Sequence, residues 1–431
     1  MTSARRSAKA LDSWSRREVL ALGAKALFGV GLLPMLGGRA FADEPAAARS
    51  TAKNVIYLYM AGGMSHLDTF DTKPGAAVQG PVTSLASSAD GIQVSEYLPK
   101  VSKQMHHLAV IRSMNSNQGA HEPGQYFMHT SYAMRGTIRH PAMGAWVSHL
   151  SGRRNATLPA NVAIGAGGQH AGAGYLESKH APLPLGNPAD GLQNSARPDG
   201  VTAKRFDRRL DLVDQFDASF RKQYDQKQVR AYKDLYDEAV QLMGSKDLAA
   251  FDISQESSDL RDAYGENPFG QGCLLARRLV EHDVRFIEVT LGGWDTHDDN
   301  FDRVSTQAGI LDQALGTLLP DLDSRGLLEE TLVVVATEFG RSPQINGNTG
   351  RDHHPKSFTC LLGGGGVRGG RVHGSSDVNG SDVATDKVSI PDFNATIGYA
   401  LGLPLDKIVI SPSGRPFTLA DHGRPLLGLF A

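Results

Sequence analysis

Cysteine is nearly absent, with two residues in a chain of 431. That excludes a disulfide-dense scaffold and any multi-cysteine zinc or iron–sulfur site. Long apolar runs are missing too: no stretch in the body of the chain approaches the roughly 20 residues of a membrane-spanning helix. Charge of one sign is not in excess, with 44 Lys and Arg against 46 Asp and Glu. No basic run stands out, so the clustered cations that neutralise nucleic-acid phosphates are lacking. Charged residues at 21% and aromatics at 7% exclude a disordered tail protein and a coiled coil. Internal repeats and low-complexity tracts are absent as well. What remains is a globular chain, long enough for two or three domains, yet of a size at which α/β enzymes often fold as one.

Residues 1–42 read as an address rather than as fold. Ser15-Arg16-Arg17-Glu18-Val19-Leu20 precedes a mild Gly/Ala/Leu stretch broken by Lys25 and Pro34, and Ala40-Phe41-Ala42 offers small residues where a signal peptidase cuts. A paired arginine before a weakly apolar stretch fits a twin-arginine export signal and a periplasmic or exported location. Cleavage after Ala42 leaves 389 residues with 37 basic against 44 acidic side chains, a net charge of −7. In an oxidising compartment Cys273 and Cys360 are available for pairing, but each lies inside an apolar segment, which favours two buried thiols.

Residues 43–53 read as a linker and 54–431 as one domain. The run 54–60 (NVIYLYM), bounded by Gly62-Gly63, has the look of a strand buried on both faces, as do 284–291 (VRFIEVTL), 331–337 (TLVVVAT) and 357–362 (SFTCLL). Shorter strands are expected at 108–112 and 161–165. Helical patterns cover 96–107, 124–134, 141–150, 270–282, 301–324 and 391–401, the last opening on Pro391-Asp392 as a helix N-terminus should. Residues 205–263, rich in Asp, Arg, Lys and Gln, suggest two or three amphipathic helices inserted over the sheet or forming a lid. Strands alternating with helices predict an α/β fold with a mostly parallel sheet covered on both faces.

In open α/β sheets ligands bind beyond the carboxyl ends of the strands. Three of these ends carry carboxylates, two with imidazoles close by. The first is followed by Ser65-His66-Leu67-Asp68, the second by Trp294-Asp295-Thr296-His297, and the third by Glu338-Phe339-Gly340-Arg341, with Arg351-Asp352-His353-His354 a loop later. Carboxylate and imidazole together are ligands for Zn, Mn or Fe, and converging carboxylates repel one another unless a cation sits among them. Glu338 ends an all-apolar strand, where a charge without a partner is costly. Of the adjacent His353 and His354, one is expected to face the site and the other to pack or orient a neighbour. Arg341 and Arg351 either neutralise these carboxylates or clamp an anionic substrate. Asp298, Asp299 and Asn300 are equally well explained as caps of the following helix. Ser116 and His121 lie between a strand and a helix; Ser116 could be a nucleophile and His121 a general acid/base or an ordinary loop residue. His129 is taken as structural, and His140, His170 and the other histidines show no partner pattern.

The paired-arginine signal, G-G-M-S-H-L-D-T-F-D from Gly62 to Asp71, G-G-W-D-T-H from Gly292 to His297, T-E-F-G-R-S-P from Thr337 to Pro343 and G-R-D-H-H-P from Gly350 to Pro355 together resemble one family. It is a large bacterial family of exported proteins of unknown function, allied to the alkaline phosphatase and sulfatase superfamily. The resemblance runs from about residue 54 to residue 427. It implies a three-layer α/β sandwich with a mostly parallel central sheet, one or two divalent metals (Zn, Mn, Ca or Mg), and hydrolysis of phosphate or sulfate esters. By motif position it implies Asp68 as an early metal carboxylate, Asp295 and His297 as a middle pair, and Glu338 with His353 or His354 as a late group. The chain departs from the superfamily in three places. His121 occupies the position of the Ser, Thr or Cys nucleophile, the middle pair is D-x-H rather than D-x-x-x-H, and Phe339 stands where a histidine is expected. Two functions are consistent with this: an exported metal-dependent hydrolase of an anionic ester, with His121, Arg341 and Arg351 around the reacting group, or a non-catalytic envelope-binding or assembly protein that keeps the fold. The expected partner is an anionic small molecule or envelope polymer, with a protein partner open and nucleic acid excluded.

Overall fold

An unbroken apolar strand must be covered on both sides, and the computed structural model builds two cores around such strands. It describes residues 51–430 apart from Pro198 and Asp225; the expected export signal and most of the expected linker lie outside the described residues. Strand β1 (Asn54–Met60) is buried at every position. Ile56, Leu58 and Met60 point into one core while Val55, Tyr57 and Tyr59 point into the other, as the two-residue period of a strand requires.

The central sheet adds β2 (Leu108–Asn115), β3 (Asn161–Ile164), β4 (Leu183–Leu185), β5 (Phe286–Leu291), β6 (Thr331–Ala336), β9 (Phe358–Gly363), β10 (Arg371–His373) and β11 (Val388–Ser389), while β7 (Gly340–Ile345) and β8 (Arg351–His354) form a separate hairpin. The order across the sheet is β10–β2–β9–β6–β1–β5–β3–β4, with β11 pairing β2. The sheet is mixed: β9 runs antiparallel to β2 and β6, and the other pairings are parallel. Helices α6 (Pro268–Glu281) and α7 (Asn300–Ser324) cover one face; α1 (His121–Thr130), α2 (Met143–Ser151) and α8 (Ile390–Ala400) cover the other. Local signals set their starts. Asn267 caps α6 ahead of Pro268, and Ser389 with Asp392 closes a capping box on α8.

Three expectations need correction. The pattern at 96–107 gives only a 3₁₀ segment, Val101–His107. The segment after β6, expected as loop, pairs as the hairpin β7–β8, a strand signal weakened by Pro343 and by charged and polar residues. The insertion forms α3 (Ala203–Gln223), α4 (Lys227–Met243) and α5 (Ser258–Tyr264), but α3 buries none of its residues and leaves Phe216 77% exposed, so it does not cover the sheet. Its charged residues interrupt the apolar stripe too often for a packed face. Both cysteines are buried free thiols. No helix among the described residues is long and apolar enough to cross a membrane.

Candidate metal centre

Strands β6, β1 and β5 are parallel neighbours, so their carboxyl ends open on one edge and bring Glu338, Gly62 and Asp295 together. The approach is close enough to demand glycine. Gly62 has φ +116°, and a Cβ there would lie 2.6 Å from the Asp295 nitrogen. Gly124 serves the same end on α1, where a Cβ would meet that of Glu338 at 3.3 Å. Helix α1 therefore docks with its first residue, His121, over the end of β6.

Four side chains converge there. His121 Nε2 lies 3.3 Å from Asp295 Oδ2, while His297 Nε2 and His353 Nε2 lie 3.2 and 3.3 Å from Asp295 Oδ1. The two nitrogens of His297 and His353 are 2.9 Å apart. Each imidazole is held from behind through Nδ1. His121 Nδ1 meets Glu338 Oε1 at 2.9 Å, His297 Nδ1 meets Asp352 Oδ1 at 2.9 Å, and His353 Nδ1 meets the Gly119 carbonyl at 2.8 Å. Carbonyl and carboxylate oxygens accept, so the Nδ1 atoms donate outward while the Nε2 atoms face Asp295. His121 Nε2 is buried without a hydrogen bond of acceptable geometry, an orphan that a cation would satisfy. Ligand atoms of His121, Asp295 and His353 all lie within 4.8 Å of one another. The donor set and its outer partners fit a divalent metal.

The electrostatics favour positive charge at this point. The hydrogen bond to Glu338 raises the pKa of His121 against the opposing effect of burial, with the charges of Glu338 and Asp295 adding to it. Burial works against the charge of Asp295, yet the Arg341 guanidinium, 2.5 Å away, and the neighbouring histidines hold its carboxyl well below the ordinary range. Burial, with Arg341 and His121 nearby, pulls His353 down against the Gly119 carbonyl and keeps it neutral, the state a ligand needs.

The remaining predicted residues divide. Glu338 belongs to the cluster, but Tyr59 Oη, the Gly62 N–H, His121 and Thr337 fill its oxygens at 2.8 to 3.4 Å; it orients His121 rather than offering a free oxygen to a metal. Asp68 does not join the cluster. It is fully buried, bonded to Ser65, to Asn300, and to Arg351 in a two-bond pair at 2.9 and 3.1 Å. Arg351 is equally buried and spends its other donors on the carbonyls of Val78, Ser342 and Pro343, so it clamps no substrate. Arg341, also buried, bonds the carbonyls of Gly62, Gly63 and Arg351 as well as Asp295, which makes it the anchor of that carboxylate. His354 points away to the Ser381 carbonyl at 2.5 Å, because neighbouring residues on a strand face opposite sides. Ser116 uses its hydroxyl to accept from the Gln118 N–H, and Asn300 bridges Thr296 and Asp68.

A second cluster went unseen in the sequence. Glu288 in the middle of β5 receives His129 Nε2 at 3.0 Å and His170 Nε2 at 3.2 Å, with Glu288 and His129 buried and His170 partly so. A lone acid inside an apolar strand was the signal that singled out Glu338, and it applies to Glu288 as well; nothing in the sequence marks His170.

Fold and site together define an α/β protein with a histidine–carboxylate cluster at the carboxyl ends of its central strands. The chain belongs to the family described as protein of unknown function DUF1501, whose model matches residues 52–430. No curated protein matches it by sequence. Similar solved structures include the PsFucS1 sulfatase from Pseudoalteromonas sp., at 16% identity over 88% of this chain and 72% of that one with a TM-score of 0.42. A member of the alkaline phosphatase superfamily from Vibrio parahaemolyticus matches at 10% identity over 88% and 73%, TM-score 0.40. The C-terminal periplasmic domain of EcEptC from Escherichia coli, in complex with Zn, matches at 10% identity over 81% and 82%, TM-score 0.36. Likeness at this level carries no residue correspondences.

Proposed function

We propose that this chain is an exported, cation-dependent hydrolase-like protein acting on an anionic phosphate or sulfate ester, with His121, Asp295 and His353 holding a divalent cation and His297 beside them. One observation carries the reading: three imidazoles crowd their Nε2 atoms within 3.2 to 3.3 Å of one carboxylate while their Nδ1 atoms are engaged elsewhere. Such a nitrogen-rich set suits Zn or Mn better than Mg or Ca, which take oxygen shells. The cation, when bound, supplies Lewis-acid polarisation of the ester and activation of an attacking water. The protein's own part is positioning: Arg341 fixes Asp295, Glu338 and Asp352 fix the directions of His121 and His297, and the Gly119 carbonyl fixes His353.

Elemental analysis of the purified protein tests this. At least one divalent cation per chain is expected, lost in Asp295→Asn. Cleavage of p-nitrophenyl phosphate or sulfate should stop with chelator, and a folded protein free of metal would sink the proposal. Export rests on the sequence of residues 1–42, and replacing both Arg16 and Arg17 by Lys should leave the protein in the cytoplasm in a fractionation assay.

One observation favours the non-catalytic reading. Arg341 and Arg351 are both buried and spent on protein partners, leaving neither to clamp an anion at the cluster. On that reading the protein binds cation and an envelope polymer but turns over no ester.

A further inference from the structure

A second cleft opens beside the cluster, with a cavity of about 550 Å³. Asn117, on its wall, stands two residues before Gly119, whose carbonyl holds His353. Phe127, also on its wall, lies on α1 six residues beyond His121, about 9 Å along the helix axis. A ligand touching both places is therefore longer than a single small ring.

The floor is aromatic and rigid. Tyr132 and His140 stack at 4.3 Å with an interplanar angle of 11°, and Phe417 stands edge-on to both at 5.3 and 4.8 Å. One polar atom of Tyr132 and one of His140 are engaged from behind. Tyr132 Oη donates to the Thr418 carbonyl at 2.7 Å, and His140 Nδ1 meets Tyr126 Oη at 2.8 Å. Burial drives His140 down to about 4, so the ring is uncharged. What faces the cleft is apolar ring surface held in place.

The rim carries Arg135 and Arg415, from the segment after α1 and from the turn before Phe417. Both are exposed, and among the described residues neither guanidinium has a hydrogen bond or ion pair. Asp421 is the acidic residue on the lining, so two cations face one carboxylate in a chain whose net charge is −2.

We infer that this cleft is a subsite for an anionic sugar oligomer, a pyranose face lying on Phe127 and Phe417 and its sulfate or phosphate group held between Arg135 and Arg415. Ring faces beside an amide and two guanidinium groups match a pyranose, which alternates C–H faces with hydroxyls and here carries an ionised substituent. The inference names the substrate class of the hydrolase reading and rests on that reading only for what happens to the ligand at the cluster.

Titration calorimetry on the full chain tests it, with a heparin-derived tetrasaccharide as probe, its desulfated form as the uncharged control and AMP as the competing class. Near-ultraviolet circular dichroism checks that each variant is folded. The sulfated probe is expected to bind about tenfold or more tightly than the desulfated form, and the double variant Arg135→Gln/Arg415→Gln to lose about tenfold, the size of a lost charge-assisted contact. Phe417→Ala should lose about fivefold. Failure of the sulfated probe to bind, indifference to both sets of cleft substitutions, or AMP binding as tightly as the tetrasaccharide overturns the subsite. Cleft-dependent binding without any ester cleavage leaves the subsite standing and removes the hydrolase reading; metal-dependent cleavage without cleft dependence does the reverse.

Discussion

Removing Arg351 tests whether Asp68 is a structural anchor or an early metal carboxylate. In Arg351→Met the apolar stem stays and the charge goes. Asp68 would keep the Ser65 hydroxyl and the Asn300 amide but lose both guanidinium bonds, in a place where neither side chain is exposed. The carbonyls of Val78, Ser342 and Pro343 would lose their donor as well. Breaking a buried pair from one side costs about 3–5 kcal/mol, and the stranded carbonyls put the expected loss at the upper end of that range. Asp68→Asn strands the guanidinium in turn and should cost a similar amount, whereas Asp68→Leu/Arg351→Met should cost less than the sum of its single changes by about 1–3 kcal/mol. Urea unfolding followed by tryptophan fluorescence reads these values, since Trp146 and Trp294 are fully buried. Bound cation is measured on the same samples, and Asp68→Asn should retain it. A loss below about 1 kcal/mol, the size of an exposed pair, or a folded Asp68→Asn protein without cation, refutes the reasoning and returns Asp68 to the cluster.

Glu338→Gln and Asp352→Asn should each weaken cation binding by about 10- to 100-fold, because they loosen the outer partner of a ligand rather than the ligand itself; competition with a chromogenic chelator measures this, and unchanged affinity in both would show the partners to be idle. Stability against pH should carry the mark of the His129–Glu288 pair. Burial opposes both charges, yet each group holds the other ionised, raising His129 from 6.5 and depressing Glu288 from 4.5. The contribution of His129 is complete below pH 6.5 and fades as pH climbs through its raised value; that of Glu288 is complete above pH 4.5 and fades as pH falls toward its depressed value. The gap between wild type and Glu288→Gln should therefore reach about 3 kcal/mol between these limits in urea melts and narrow on either side, and a gap flat with pH would contradict the ion pair.

The central fold was legible because its strands are apolar on both faces: the runs at 54–60 and 331–337 admit little but burial in a covered parallel sheet. The convergence of Asp295, His297, Glu338 and His353 followed from the rule that ligands gather at carboxyl ends, whereas His121, which opens a helix, was not placed among them by it. The division of labour among them did not, because it depends on which atom each side chain spends where. Arg351 and Asp68 look like site residues in one dimension, yet the Asn300 that ties Asp68 down is distant in sequence and reads equally well as a helix cap. Asp352 carries no signal beyond its neighbours, and its role depends on the β7–β8 hairpin, whose strands are too polar and too interrupted by Pro343 to be recognised. The cleft between α1 and the turn before Phe417 is likewise invisible in sequence, since its rings come from segments nearly 300 residues apart.

Two histidine–carboxylate clusters flank Tyr59, whose hydroxyl donates to Glu338 and whose ring meets His129 edge-on at 4.5 Å, and counting protons separates them. His129 Nδ1 faces the Gln125 carbonyl at 2.8 Å, so it carries a proton; its Nε2, 3.0 Å from Glu288, needs a second one, which makes the ring an imidazolium. His170 Nδ1 accepts from the Gly172 N–H at 3.0 Å, so its proton sits on Nε2 and is donated to Glu288. Both carboxylate oxygens are thus occupied by N–H groups, and turning His170 into a ligand would set one N–H against another. Around Asp295 the carboxylate is not closed off in this way: His121 Nε2 is left without a hydrogen bond, and the Nε2 atoms of His297 and His353 face each other at 2.9 Å. Similar side chains therefore give a closed ion pair in one place and a cation-ready site in the other. Glu288→Gln should leave bound cation per chain unchanged while His353→Gln lowers it, and loss of cation from a folded Glu288→Gln protein would show the buried cluster to be a metal site after all.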